Sequence, residues 1–119
     1  MLILDWMKSN VISVPPDTSL LHCRKLFKEH QISRLPVVDA DKVVVGLISA
    51  SDIKEFSPQR TTGLEILEVL DMLGETKAKQ LMTVDPATIN YKGTVEQAAT
   101  KMIERRVACL PVVNDEGKL

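Results

Sequence analysis

The spacing of hydrophobic residues predicts two amphipathic helices, one in each of two similar stretches of the chain. In the second stretch, apolar residues recur at the i, i+3, i+4, i+7, i+8 spacing of one helix face, at Val95, Ala98, Ala99, Met102 and Ile103. In the first stretch the same face carries Leu20, Cys23 and Phe27, with Leu21 and Leu26 beside it. Thr94 and Gln97 fit a capping box at the start of the second helix.

Short runs of β-branched and apolar residues around each helix predict strands. Before the helices these runs are Val11–Val14 and Thr88–Ile89. After them, Leu-Pro-Val-Val occurs twice, at 35–38 and 110–113, and each copy predicts a short buried strand. Turn segments follow at 39–42 and 114–117, and the first turn leads into a predicted strand at 43–49 and a short helix at 51–56.

The two stretches are copies of one unit, related by a constant offset of 75 residues. Leu35–Asp39 recurs as Leu110–Asn114, and the same offset pairs Met7 with Met82. It also places the partner of Val44 at Leu119, so the second copy stops where its next strand would follow. Either the native chain continues or the second copy is defective, and the sequence does not decide between them.

A linker is predicted between the copies. Residues 57–63 predict a loop, and a helix from Leu64 to about Leu73 follows, with an apolar stripe of Ile66, Val69, Leu70 and Leu73. Residues 77–82 predict another short helix. The expected organisation is a first copy at 1–57, a linker at 58–79 and an incomplete second copy at 80–119.

Composition narrows the classes of function. The chain has 119 residues, enough for one domain with at most two small units. Its net charge of −1 and its aromatic content of 3% argue against a nucleic-acid-binding protein, which needs a basic face or stacking aromatics. There is no apolar run of membrane-spanning length, Asp5 interrupts the apolar start that a signal peptide needs, and the two cysteines form no CxxC motif. We therefore expect a cytoplasmic protein that binds neither nucleic acid nor membrane.

The repeated unit resembles the CBS domain, named after cystathionine β-synthase. The resemblance rests on Ile-Ser-Arg-Leu-Pro-Val-Val-Asp at 32–39 and Val-Gly-Leu-Ile-Ser-Ala-Ser-Asp at 45–52, and on the match of the second copy from Met82 to Asn114. The Asp-Trp-Met start, the 57–62 loop and the acidic linker helix are similar to the acetoin-utilisation type. The resemblance implies an α/β (α+β) fold of two β-α-β-β-α units, called a Bateman module, with pseudo-two-fold symmetry.

The resemblance also implies a function. CBS pairs are regulatory modules, and many bind AMP, ADP, ATP, S-adenosylmethionine or NAD in clefts between the copies. The adenosine nucleotide would be a regulatory ligand rather than an obligatory cofactor, as in energy sensing. Its binding would be passed to a regulated enzyme or a fused domain, and CBS pairs commonly form homodimers.

Ser49 and Asp52 are the first candidate ligand-binding residues. A carboxylate accepts two hydrogen bonds and can hold both ribose hydroxyls, and a hydroxyl one turn earlier at a helix N-terminus can meet a phosphate. The same spacing also fits a capping box made with Asp, and both roles can coexist.

The other implied binding residues lie on the first strands and before each Leu-Pro pair. The strand residues would meet the adenine edge, and the two segments would form the cleft walls. Each of them also has an ordinary interpretation as a strand or core residue, and Val37, Val38, Val112 and Val113 are expected in the core. The implied residues are Ser13, Val14, Thr88 and Ile89, then Ile32, Ser33, Arg34, Leu35 and Pro36, then Val107, Ala108, Cys109, Leu110 and Pro111.

Arg34 is the charged residue of greatest interest, because a guanidinium suits a phosphate. Its counterpart in the second copy is Cys109, so any phosphate preference would differ between the copies. A solvated surface arginine is the competing interpretation.

Catalytic and metal-binding residues are not expected. The sequence has no G-x-S-x-G elbow and no glycine-rich phosphate loop, and His22 and His30 are eight residues apart rather than four. Two alternatives to nucleotide sensing are compatible with the sequence. One is a structural dimerisation module without a bound nucleotide, and the other is a metal or redox input through Cys23 and Cys109.

Overall fold

The computed structural model describes residues 1–56 and 63–119, and it leaves out the side chains of 63–66. Most of the predicted loop at 57–63 and the side chain of Ile66 therefore lie outside the described part. The elements are α1 (Ile3–Trp6), α2 (Leu20–His30), β1 (Arg34–Val38), β2 (Val44–Ser49), α3 (Ala50–Phe56), α4 (Gly63–Glu75), α5 (Ala78–Leu81), β3 (Thr83–Val84), β4 (Ile89–Asn90), α6 (Val95–Arg105) and β5 (Val112–Val113).

The strand predicted at Val11–Val14 is wrong for most of its length. Only Val14 pairs, through a parallel bridge to Val37. Within the described residues, Val11, Ile12 and Ser13 make no backbone hydrogen bond to another strand. After Val14, Pro15 and Pro16 have no N–H to give to a ladder, so the pairing does not continue in that direction either.

The remaining predicted helices and strands are present, but the strand predicted at 110–113 consists of Val112–Val113 alone, and Val112 is half-buried rather than in the core. The sequence pattern did not predict α1 and β3.

The strands form two small sheets. In the first half β1 pairs antiparallel with β2, and β2 pairs antiparallel with β3, which comes from the start of the second copy. In the second half β4 pairs in parallel with β5. The first sheet is therefore completed by residues that lie beyond the linker in sequence.

The main hydrophobic core lies in the first half. On α2, Leu20, Cys23 and Phe27 are buried, as the helical spacing predicts. They share one cluster with buried residues of β1, β2, α3, α4 and α5, namely Leu35, Val37, Ile48, Ile53, Leu73 and Ala78. Apolar residues at helical and strand spacing thus converge from four helices and two strands.

The segment before each copy's first strand packs on the other copy. The N–H of Ile3 donates to the carbonyl of Gly93 at 3.0 Å, and the N–H of Ala78 donates to that of Thr18 at 2.7 Å. The offset of 75 turns one of these hydrogen bonds into the other. The short helix α1 of the first copy therefore lies beside the start of α6, and the short helix α5 lies beside the start of α2. The two halves exchange these segments.

A pseudo-two-fold axis passes between Val43 and Lys118. These two residues are equivalents under the offset, and they form an antiparallel bridge with each other. On either side of the bridge, Val44 N–H donates to Gly117 O and Leu119 N–H donates to Lys42 O, both at 3.1 Å. The predicted pseudo-two-fold relation of the two copies is therefore confirmed.

The two halves differ in how well their main helices are covered. Val95, Ala98 and Met102 on α6 are half-buried, although their equivalents on α2 are buried. Ile103 is 78% exposed, so the apolar stripe predicted on this helix does not lie in a core. The reason is that Ile48, Ile53 and Leu73 complete the core against α2, and the offset gives them no counterparts within the 119 residues.

Two equivalent leucines provide a matched test of this asymmetry. Leu35 is fully buried and Leu110 is half-buried. Leu35→Ala should lower the free energy of unfolding by about 2–5 kcal/mol, because it leaves a cavity in a closed core. Leu110→Ala should cost about 1–2 kcal/mol, since less apolar surface is lost. Urea unfolding followed by circular dichroism measures both, and equal costs would contradict the asymmetry.

Candidate functional site

A cavity of about 750 Å³ lies between the two halves, beside the pseudo-two-fold axis. Arg34 and Pro36 line it from the first half, and residues 109–114 line it from the second. Lys42 and Lys118, which flank the axis, and the segment 7–11 complete much of its wall. This volume is within the range of small-molecule sites, which also occur where two structural units meet.

The structure brings some of the predicted binding residues together at this cavity. They come from both copies, at equivalent positions in two pairs: Arg34 with Cys109, and Pro36 with Pro111. The predicted residues that line the cavity are Ser13, Arg34, Pro36, Cys109, Leu110 and Pro111.

Ser13 and Val14 differ in what their backbone groups can still bind. Val14 uses its N–H to donate to Pro36 O at 3.1 Å and its carbonyl to accept from Val38 at 2.9 Å. Its side chain is buried in the core. In the described part of the chain, the backbone groups of Ser13 make no hydrogen bond. Ser13 can therefore present an N–H and a carbonyl to a ligand, and Val14 cannot.

Ser49 and Asp52 form a capping box at the start of α3. The Ser49 N–H donates to a carboxylate oxygen of Asp52 at 2.9 Å, and the Asp52 N–H donates to Ser49 Oγ at 3.1 Å. Both residues are half-buried, and neither is among the residues that line the cavity. Arg34 is the cross-strand partner of Ser49, so the box adjoins the cavity wall through β1 and β2.

The remaining predicted residues of the first copy lie mainly in packing roles. Leu35 is fully buried, and Ile32 packs against the core. Ser33 is exposed, and its carbonyl accepts a hydrogen bond from Ala50 N–H at 2.8 Å.

Four predicted residues of the second copy, Thr88, Ile89, Val107 and Ala108, are also away from the cavity lining. The carbonyl of Thr88 accepts a hydrogen bond from the Lys101 ammonium. The N–H of Ile89 donates to Pro111 O at 3.0 Å. Val107 and Ala108 are exposed.

The cavity contains cationic residues that the sequence pattern did not identify. Lys8, Lys42 and Lys118 line it together with Arg34. Lys8 reaches it because the N-terminal segment crosses to the second half, and the two other lysines lie beside the pseudo-two-fold axis. The offset of 75 pairs Lys42 with Gly117 and Lys118 with Val43, so it relates neither lysine to another cation.

One edge of the cavity wall is fixed by an exposed charge cluster. Asp115 accepts hydrogen bonds from Lys92 Nζ at 2.7 Å and from Asn90 Nδ2 at 2.8 Å. These two donors hold the pKa of the Asp115 carboxyl below its usual value. The cluster ties the end of β4 to the turn that follows β5, on either side of the cavity residues Tyr91 and Asn114.

The two cysteines lie in different environments. Cys23 is fully buried on α2, and burial raises the pKa of its thiol to about 11. Cys109 is half-buried and lines the cavity. Both are free thiols.

Two features are absent from the part of the chain that the structure describes. No helix there is long and apolar enough to cross a membrane. No group of three or more His, Cys, Asp or Glu side chains is placed to hold a metal ion.

Comparison with known proteins decides the family. The sequence model of the CBS domain matches residues 3–58 and 78–119. The chain belongs to the CBS domain family. The two matched segments fall in the two copies, so the predicted tandem CBS pair is confirmed.

Individual relatives agree with this assignment. An uncharacterised protein of Methanocaldococcus jannaschii is 33% identical over 141 residues, which cover 100% of this chain and 83% of that protein. The crystal structure of CBSX2 in complex with AMP is 29% identical, with a TM-score of 0.77, and the match covers 99% of this chain and 86% of that chain. An acetoin utilization protein of Vibrio cholerae shares the fold, at 23% identity and a TM-score of 0.78, over 100% of this chain and 80% of that chain.

This chain also matches an enzyme, but only over a small part of that enzyme's length. Inosine-5'-monophosphate dehydrogenase of Korarchaeum cryptofilum is 32% identical over 110 residues, but this chain covers 20% of that enzyme. The likeness therefore concerns a fifth of the dehydrogenase.

The two thiols of this CBS pair should react differently. At pH 8 the native protein should take up one iodoacetamide, at Cys109, because Cys23 is buried and stays protonated. Mass spectrometry of the intact and digested protein measures the labelling. Cys109→Ser should abolish fast labelling and Cys23→Ser should leave it unchanged, whereas modification of Cys23 in the native protein would contradict the structure.

Proposed function

We propose that this CBS pair is a regulatory module that binds an adenosine-containing nucleotide in the cavity between its two copies. The candidate ligands are AMP, ADP, ATP, S-adenosylmethionine and NAD. The module itself is not a catalyst in this proposal, and it acts by passing a change of shape to a regulated enzyme or a fused domain.

The cavity between the copies is the observation that carries the proposal. Its volume suits a nucleotide, and both copies line it. Ser13 offers free backbone groups for a purine edge, and apolar residues such as Pro36, Leu110 and Pro111 offer a surface for the ring. The complex of CBSX2 with AMP supports the choice of an adenosine ligand.

The route from binding to regulation follows from the contacts of the cavity. A ligand that touches both copies binds best at one relative orientation of the copies, and it shifts the population toward that orientation. The copies are joined at the axis by the bridge between Val43 and Lys118, beside the cavity. A small rotation about this junction would change the cavity and the outer surface together.

We include Asp52 in the proposed site as a ligand of the ribose, and Ser49 as a ligand of the phosphate. Without a nucleotide, these two residues form the capping box. A carboxylate has about four acceptor positions, and the box uses one of them on Ser49 N–H. Capping and ribose binding by Asp52 are therefore compatible. The other predicted site residues, apart from Val14, remain part of the proposal, as do the predicted copy boundaries and the cytoplasmic location.

A homodimer is the second part of the proposal, and exposed apolar residues favour it. Trp6 is 68% exposed on α1, and Leu67 is 60% exposed on α4. An interface over either helix would remove these side chains from water. A dimer that ignores nucleotides would support the alternative of a structural dimerisation module. Sedimentation equilibrium with and without the nucleotides distinguishes the two.

Asp52→Asn separates ligand binding from capping. The amide oxygen keeps an acceptor for Ser49 N–H, but the charge that would hold the ribose is lost. We expect the thermal midpoint to change little and the binding free energy of the responding nucleotide to weaken by about 1–3 kcal/mol. Calorimetric titration with AMP, ADP, ATP, S-adenosylmethionine and NAD measures this.

The exposed Asp71→Asn on α4 is the matched control, and it should bind like the wild type. A nucleotide that binds should also slow alkylation of Cys109, since that thiol lines the cavity. Absence of binding across all five nucleotides in the wild type would overturn the sensor function. Equal binding by wild type and Asp52→Asn would remove Asp52 from the site.

A further inference from the structure

Two segments of the second half border the cavity in the places that β1 and β3 take in the first half. In the first sheet the strands lie in the order β1, β2, β3. By the offset of 75, residues 109–113 correspond to β1 and residues 8–9 correspond to β3. Both segments line the cavity, and no strand of the described residues lies between them. We call the space between residues 7–10 and 109–113 the slot.

One wall of the slot already has the backbone conformation that its counterpart adopts around β3. Asn10 has a φ of +54°, and its equivalent Asp85 has a φ of +49°, so both are in the left-handed region. Upstream of this wall, an antiparallel bridge ties Leu2 to Thr94. Residues 7–10 are therefore held in place before a strand enters the slot, which lowers the cost of ordering them on binding.

The facing wall offers backbone hydrogen-bonding groups along the edge of β5. The carbonyls of Pro111 and Val113 accept hydrogen bonds on the side of β4. Successive residues of a strand direct their backbone groups to opposite edges, so Leu110 and Val112 direct theirs into the slot. The two residues of β1 that are equivalent to them pair with β2. An open edge of this kind is a template for a further strand.

Met7 limits the side chains that a strand in the slot can carry. In the first half, Gly46 of β2 lies against Met82, and a Cβ on that glycine would be 2.2 Å from Met82 Sδ. Met7 is the equivalent of Met82, and it lines the slot. A strand that is placed like β2 therefore needs a glycine opposite Met7.

The charge around the slot is one-sided. No aspartate or glutamate of residues 1–56 and 67–119 lines the cavity, and Lys8 forms no ion pair with any of them. In the register of β2 with β3, Leu47 lies opposite Thr83, which is the equivalent of Lys8. An acidic side chain at the Leu47 position of an entering strand would thus form a cross-strand ion pair with Lys8. A concave surface of one charge also attracts a segment of the opposite charge. The cations that line the cavity are Lys8, Arg34, Lys42 and Lys118.

We propose that the slot is a docking site for an extended, acidic segment of a partner protein, which enters as a strand antiparallel to β5 and to residues 8–9. The segment has a glycine opposite Met7 and an acidic residue opposite Lys8. Main-chain hydrogen bonds to both walls provide the affinity, and these two positions provide the specificity. This inference goes beyond nucleotide binding and does not depend on it.

A peptide with the sequence of residues 43–50 and the change Leu47→Glu is the probe, because β2 fills the equivalent position in the first half. Without any nucleotide, the peptide should bind and should slow hydrogen exchange at the amides of Leu110 and Val112. The Tyr91 amide already donates to β5, so its exchange rate should not change. Fluorescence anisotropy of the labelled peptide measures the affinity, and two-dimensional NMR measures exchange at each amide.

Two further peptides and two protein variants test the specificity. The probe with Gly46→Val should bind about tenfold more weakly, because its side chain overlaps Met7. The peptide that keeps Leu47 should bind about two- to fivefold more weakly than the probe, as expected for a cross-strand ion pair. Lys8→Gln in the protein should remove this difference. Lys28→Gln, at an exposed lysine of α2 outside the cavity lining, is the matched control and should keep it.

The outcomes separate this inference from the nucleotide-sensing function, which calorimetric titration tests independently. If the probe does not bind, or binds without slowing exchange at Leu110 and Val112, the docking site is wrong. If those two amides are protected in the free protein at high but not at low protein concentration, a second copy fills the slot, and docking of a partner is overturned. If the Gly46→Val peptide binds like the probe, no strand lies against Met7, and the proposed placement is overturned.

Discussion

Two antiparallel backbone hydrogen bonds join the halves at the pseudo-two-fold axis, from Val44 to Gly117 and from Leu119 to Lys42. They place the turn at 39–42 against the turn at 114–117, and so they bring Lys42 and Lys118 to the same wall of the cavity. The exchanged segments then fix the distance between the halves, because Ile3 and Ala78 each begin a short helix on the other copy. The cavity exists because these contacts hold two units side by side without merging their cores.

Much of the fold could be predicted from the sequence, because the repeat and the helical spacing are strong local signals. Leu20, Cys23 and Phe27 form the buried face of α2 as their spacing predicts. The exchange of α1 could not be predicted, since four residues are too few to show a period. The sequence pattern identified Arg34 and Cys109, because both lie in the repeated segments before Leu-Pro. It did not identify Lys8, because Lys8 reaches the cavity only where the N-terminal segment crosses to the second half. Asp52 shows the limit of a motif, because one spacing serves both a cap and a ligand.

The equivalence of the two halves is closer in backbone than in packing. Ser19 and Thr94 cap equivalent helices, and Gln31 and Arg106 end them in the same left-handed conformation. Yet the half-buried face of α6 has fewer apolar partners than that of α2. Local stability follows buried apolar contact, and among the described residues the first half has more of it.

The exchanged segments also bear on how such a chain could arise. In this chain, the short helix that lies at the start of each main helix comes from the other copy. To make the same contact, a single copy would have to use the short helix of a second molecule. Those contacts would then make a symmetric dimer with one isologous interface. Joining two copies in one chain replaces that bimolecular encounter by an intramolecular one, at an effective concentration set by the linker. Assembly of the pair then no longer depends on the protein concentration, and the two copies are free to diverge, as arginine and cysteine have at positions 34 and 109.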